Sequence, residues 1–289
     1  MNSQHPNAEA ITPESQPEAS SPNITQSQLM TLPEPQPLSL ATISDYLTHL
    51  LRHKEIGDYS GAHNGLQIEN RTGTVTRIAA AVDAHEGVLN HAAEAGADLL
   101  LVHHGMLWSG PAAFTGASFR KLRTCMESNL AVFSSHLPLD AHEELGNNAL
   151  LAHAIGLPSP LPFFVEKGTA IGRRAEVDWT LEELIVRLTQ ALDGHTPHIV
   201  HAGAGRVRRI GIITGGAGNC LREVAAEGID TFITGEGRHD TFGTAVELGI
   251  NLIYGGHYLT ETFGVKALAQ HVSERFAVPW DFIDVPSGL

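Results

Sequence analysis

Cysteine is scarce in this 289-residue chain: there are two, Cys125 and Cys220, and no CxxC pair. They provide neither a disulfide framework nor a cysteine-built zinc ribbon, so a reducing, cytoplasmic setting is the simpler expectation. Basic residues are also few. Lys and Arg total 18 against 32 Asp and Glu, a net charge of −14 with histidine neutral. That balance disfavours a nucleic-acid backbone as main partner, because phosphate binding relies on Lys and Arg to displace counterions. No run of 18 apolar residues occurs, which excludes a helical membrane span. No Lys or Arg precedes Arg52, so the start has neither the basic region of a secretory signal nor the arginines of a mitochondrial presequence. Histidine, in contrast, is abundant, with 17.

Residues 1–38 are built from Ser, Pro, Gln, Asn, Glu and Thr, with Glu9, Glu14, Glu18 and Glu34 as the charged side chains. Such a stretch buries too little apolar surface to offset the entropy of ordering it, and a disordered, solvated tail is expected. The body then changes character. Leu40, Ile43, Leu47, Leu50 and Leu51 recur at the spacing of one helix face. Apolar runs at 78–82, 99–102 and 130–133 form one set of predicted strands, and those at 210–213, 231–233 and 252–254 form another. Between and after them lie predicted helices over 85–95, 118–129, 181–192, 221–227 and 261–276. Short apolar strands alternating with helices indicate an α/β fold with buried, largely parallel strands.

The two sets align. Residues 77–105 and 209–237 are identical at seven of 29 positions at a constant offset of 132, including Arg77/Arg209, Gly96/Gly228 and Asp98/Asp230. A second match follows: AVFSSHLPLD ends on His136 and Asp140, and NLIYGGHYLTE ends on His257 and Glu261. Each is a strand, a histidine, three residues and a carboxylate. We therefore expect two related α/β halves, 39–165 and 166–289. Their polar residues fall at strand ends, where ligands of open α/β sheets sit.

His103 and His104 close the run Leu99–Val102, with Gly105 allowing the backbone to turn. Asp140 follows a strand and Pro138. His257 and Glu261 stand at i and i+4, sharing a face if the helix has begun by then. Three histidines and two carboxylates offer nitrogen and oxygen ligands to Zn, Mn, Fe or Co. Five ligands do not enclose two cations fully, leaving open positions for water, which such ions acidify; that is the chemistry of hydrolysis. Glu236, at the strand end matching His104 in the repeat, is a candidate general base or a partner to a ligand. His136 is expected to support the site structurally, and Asn147 and Asn148 to cap the next helix. Gly215, Gly216 and Gly218 are read as glycines that let backbone N–H groups approach an anionic substrate.

The motifs VHHG (102–105), HLPLDAHEELGNN (136–148), GGHYLTETFG (255–264) and HNGLQ (63–67) closely resemble the NIF-three-like dinuclear metal proteins, the GTP cyclohydrolase 1 type 2 homologues. The resemblance covers about residues 40–285 and implies the short form, without the domain that some members insert between the halves. It places two divalent metal ions per chain on His103, His104, Asp140, His257 and Glu261, and implies a toroidal homohexamer with those sites facing an internal cavity. The expected function is metal-dependent hydrolysis of a small anionic or nucleotide-like molecule; the alternative is a non-catalytic, ring-forming metal-binding scaffold or regulator.

Overall fold

The computed structural model describes residues 38–108 and 113–289; the disorder expected over 1–38 lies outside them, apart from Leu38. β1 (Leu38–Ser39) leads into α1 (Leu40–Leu50), which buries Leu40, Ile43 and Leu47 as the spacing predicts. Next come β2 (Gly65–Ile68), β3 (Thr74–Val75), β4 (Ile78–Asp83), α2 (Glu86–Glu94), β5 (Leu99–His104), α3 (Gly116–Glu127) and β6 (Ala131–Ser134). Two short helices follow, α4 (Leu137–Asp140) and α5 (Asn147–Ala154). The remainder holds β7 (Leu161–Glu166), β8 (Thr169–Thr180), α6 (Leu181–Ala191), β9 (His198–Val200), β10 (Arg206–Ile213), α7 (Leu221–Ala226) and β11 (Thr231–Thr234). It ends with α8 (Thr241–Leu248), β12 (Asn251–Tyr254), α9 (His257–Phe276) and β13 (Trp280–Phe282).

Among these residues two main sheets form, β13-β4-β5-β6-β2 and β7-β8-β10-β11-β12-β9. Both are mixed. β13, β4, β5 and β6 run parallel with β2 antiparallel at the edge. The parallel trio β10-β11-β12 is flanked by the antiparallel strands β8 and β9, and β7 pairs antiparallel with β8 at the edge. The sheets do not divide at residue 165. β7, which straddles that point, opens the second sheet as a hairpin with β8, and β13, near the end of the chain, pairs with β4 in the first. Pairing is decided by which sheet edge is free, not by position along the chain.

Strand side chains alternate between faces, so each sheet needs two covers. In the first, Ile78, Ala80, Val82, Leu99 and Leu101 pack against α1 and α9, while Ala79, Ala81, Leu100 and Val102 meet α2 and Cys125 of α3. In the second, Ile210, Ile212, Ile233 and Ile253 face α5 and α6, and Phe232 and Leu252 face α7 and α8.

The internal repeat is visible in the register. Ile78 stands opposite Leu99 and Ile210 opposite Thr231, both positions offset by 132. Asp98 accepts the backbone N–H groups of Thr76 and Arg77, and Asp230 accepts those of Arg208 and Arg209. Gly96 and Gly228 take positive φ (70° and 79°) just past α2 and α7, the left-handed exit that glycine favours.

Candidate metal centre

All five residues expected to bind metal fall in one place, at the ends of strands from both sheets. β5 carries His103 and His104 to its last two positions. After β6 the chain turns into α4, which ends on Asp140 with Pro138 in its first turn. α9 begins at His257, so His257 and Glu261 share its inward face, and His257 Nε2 lies 3.2 Å from Glu261 Oε2. Glu261 is the hub: His103 Nε2 is 3.6 Å from its Oε1 and His104 Nε2 is 3.5 Å from its Oε2. Asp140 Oδ2 stands 3.5 Å from His103 Nε2. His103 is fully buried and Glu261 is 3% exposed. Two buried atoms, His103 Nε2 and Glu261 Oε2, have no hydrogen-bond partner, an expensive condition for polar atoms unless something else engages them.

Each histidine is held from behind by its other ring nitrogen. His103 Nδ1 lies 3.0 Å from the Ser135 carbonyl, His104 Nδ1 2.9 Å from Asp83 Oδ1 and His257 Nδ1 3.0 Å from Glu236 Oε1. This arrangement fixes ring orientation and leaves Nε2 facing inward, as in metal-ligating histidines backed by a carbonyl or carboxylate. Asp140 is positioned likewise: Asn147 Nδ2 donates to its Oδ1 at 2.9 Å.

Charge and burial oppose each other here. Burial pushes the His103 pKa down, but the Asp140 and Glu261 carboxylates overcome it and hold it well above the ordinary value. Burial likewise opposes protonation of His257, yet Glu261 and then Glu236 raise it to about 9. For Glu261 burial pushes up, and His103 and His104 hold the carboxyl well below the usual range. The cluster favours positive charge between its carboxylates.

Several neighbours have other roles than the sequence suggested. Gly146, not Asn147 or Asn148, is the N-cap of α5. Asn147 instead bridges Asp140 and the Gly264 N–H, and Asn148 accepts from Thr214 N–H. Buried amides of this kind complete polar networks that helix-capping rules do not foresee. Gly215 and Gly218 do not offer free N–H groups, since they donate to Thr260 Oγ1 and the Glu236 carbonyl. What Gly215 supplies is room: at φ +70° it lies so close to Glu261 Oε1 that an added Cβ would collide with it. His136 is closer to the chemistry than expected. Its Nδ1 lies 2.8 Å from Asp58 Oδ1, and it offers a ring nitrogen within 4.8 Å of those of His103 and His104. Asp83 lies within the repeat but at a position the second copy does not share, and Asp58 lies outside both repeat and motifs, so the sequence links neither to its histidine.

Two clefts open onto this cluster. One of about 470 Å³ is walled by Asp83, His104, Trp108, Lys121, Glu236 and His257. The other, about 250 Å³, reaches Asp140, His136 and Glu261 between Tyr59, Trp108 and Phe164. Among the described residues Lys121 is the only Lys or Arg lining either cleft.

Comparison with known proteins agrees with the fold. The model of the Duf34/NIF3 (NGG1p interacting factor 3) family matches residues 38–287. A Deinococcus radiodurans protein named GTP cyclohydrolase 1 type 2 homolog is 42% identical over 228 residues, 78% of this chain and 86% of that one. A Halobacterium salinarum protein of the same name is 36% identical over 252 residues, 86% of this chain and 99% of that one. The crystal structure of TTHA1606 from Thermus thermophilus matches with a TM-score of 0.80 and 38% identity, covering 87% of this chain and all of the other.

Proposed function

The chain belongs to the Duf34/NIF3 family, and from that premise we propose that it is a metal-dependent hydrolase with a dinuclear centre. His103, His104, Asp140, His257 and Glu261 would hold two divalent ions, with Glu261 approaching all three histidines. The observation that carries this reading is the pair of buried ligand atoms without partners, His103 Nε2 and Glu261 Oε2. The donor set fits Zn, Mn, Fe or Co, borderline or hard ions that accept imidazole and carboxylate together. When bound, such ions acidify water and polarise an oxygen under attack.

The protein's own part is positioning and proton handling. Asp83, Glu236 and the Ser135 carbonyl orient the three imidazoles, and Asn147 orients Asp140. Glu236 has a second task in this proposal. It lines the larger cleft and is partly exposed, so it can accept a proton from attacking water while keeping His257 in place. Trp108 and Tyr59 form aromatic walls suited to a planar group, and Lys121 supplies one positive charge. A small anionic or nucleotide-like substrate fits these walls, in keeping with the name of the curated relatives.

The wider reading is a cytoplasmic homo-oligomer, the toroidal hexamer of the family. The exposed Phe242 and Val246 on α8 offer apolar surface that a subunit contact would cover. No described helix is long and apolar enough to cross a membrane. Elemental analysis of protein purified without added metal or chelator tests the centre, with His104→Ala beside it. About two transition-metal ions per chain, reduced in the variant, are expected, after which phosphoesters and nucleotides are screened for hydrolysis. An absence of metal after reconstitution would refute the proposal.

A further inference from the structure

Arg173, on β8, is 4% exposed. A guanidinium carries five N–H donors. Among the described residues this one makes a single hydrogen bond, from Nη1 to the carbonyl of Gly172 at 3.1 Å, and no carboxylate stands within ion-pair distance. Its half-buried neighbour Arg174 shows the contrast, with Glu227 Oε2 3.0 Å away. A buried charge without an ion-pair partner is costly; burial depresses the Arg173 pKa, and the charge of Glu143 opposes this without pairing with it.

The side chain does not face a sealed core. It lies between two adjoining clefts of about 550 and 540 Å³, both of which it lines together with Glu143, Glu144 and Pro162. Arg52 and His142 contribute to the first and His153 to the second. Glu143 and Glu144 are exposed, so they stay solvated at the mouth while the guanidinium waits inside. α4 separates this place from the metal centre: Leu137 and Asp140 line the cleft over the metal residues, whereas Pro138 and Ala141 line the one beside Arg173.

We propose that Arg173 is the anchor of an oxyanion site, distinct from the metal centre, that takes a phosphate group. A guanidinium fork matches two oxygens of a phosphate, and a charge-assisted pair of that kind neutralises both partners where water is scarce. The same chemistry serves free phosphate and a phosphomonoester.

The test uses the full-length protein as purified, titrated with inorganic phosphate and with methyl phosphate by calorimetry and ³¹P NMR. Wild type is expected to take up one phosphate group per chain at a saturable site. Arg173→Gln should weaken it about ten- to a hundredfold, the loss of a charged hydrogen-bonding partner. Arg173→Lys, which keeps the charge without the fork, should fall between. His104→Ala should retain the site, separating it from phosphate held at the metal centre. Tighter binding of methyl phosphate than of inorganic phosphate would identify an ester as the ligand, and the reverse would identify the free ion. A well-folded Arg173→Gln with unchanged affinity would overturn the proposal, as would wild-type uptake that vanishes entirely in His104→Ala. It also falls if wild type binds no phosphate; an altered oligomeric mass in Arg173→Gln would then mark a second copy's carboxylate as the counter-ion. Should Arg173→Gln fail to fold, the lysine variant and the wild-type stoichiometry decide.

Discussion

His53 stacks on Phe133, its ring 5.5 Å away, and meets Ser135 Oγ through Nε2 at 3.0 Å, leaving Nδ1 buried without a partner. Burial lowers its pKa from 6.5 to about 4, and Asp58 opposes this only in part. The unfolded chain therefore takes up this proton first as pH falls. The neutral ring's contribution is complete above pH 6.5 and disappears as pH drops through about 4, costing at most about 3 kcal/mol. Urea unfolding at pH 7 and pH 4.5 should show a smaller acid loss in His53→Gln than in wild type. Gly215 makes a second single-residue prediction. In Gly215→Ala the new methyl group must displace the Glu261 carboxylate in a backbone conformation that alanine resists. Metal content should drop to below half of wild type, while the melting temperature of chelated protein changes by only a few degrees.

Within the elements, the repeated aspartates act as clamps at the start of each strand–helix–strand unit. Removing either leaves two backbone N–H groups without their acceptor, a loss of about 1–3 kcal/mol. Asp98→Ala and Asp230→Ala should therefore destabilise by similar amounts in urea unfolding, and neither should change metal content. The recurrence of these residues at an offset of 132 is why the parallel trios and their helices were legible in the sequence: the pattern is local, apolar and repeated. The five ligand candidates were legible for the same reason, each lying in a short motif beside a strand. What the periodicity missed was non-local or half-exposed. The β7–β8 hairpin turns at Lys167 and Gly168, both with positive φ (48° and 85°), a two-residue turn of the kind hairpins prefer. Its signal, Lys-Gly between partly exposed strands, is weaker than Asn-Gly. β13 pairs with a strand some 200 residues earlier, and Asp58 and Asp83 reach their histidines only through the fold, so no spacing rule could join them.

Across the whole molecule, the candidate metal centre is a junction. His103 and His104 end a strand of the first sheet, whereas His257 and Glu261 follow the last parallel strand of the second and begin the helix that covers the first. Ions held there would tie the two sheets together, and a ligand that binds only the folded state stabilises it by mass action. At free metal one hundred times the dissociation constant the gain is about 2.7 kcal/mol, roughly 5–10 °C in melting temperature for a domain of this size. Chelation should lower the melting temperature of wild type by that amount, and readdition of zinc or manganese should restore it. Glu261→Ala cuts the hub of the junction. Its melting temperature should be insensitive to chelator and metal alike, whereas Arg173→Gln, across α4, should respond as wild type does. Equal responses in wild type and Glu261→Ala would mean that metal stabilises the fold from somewhere other than this junction.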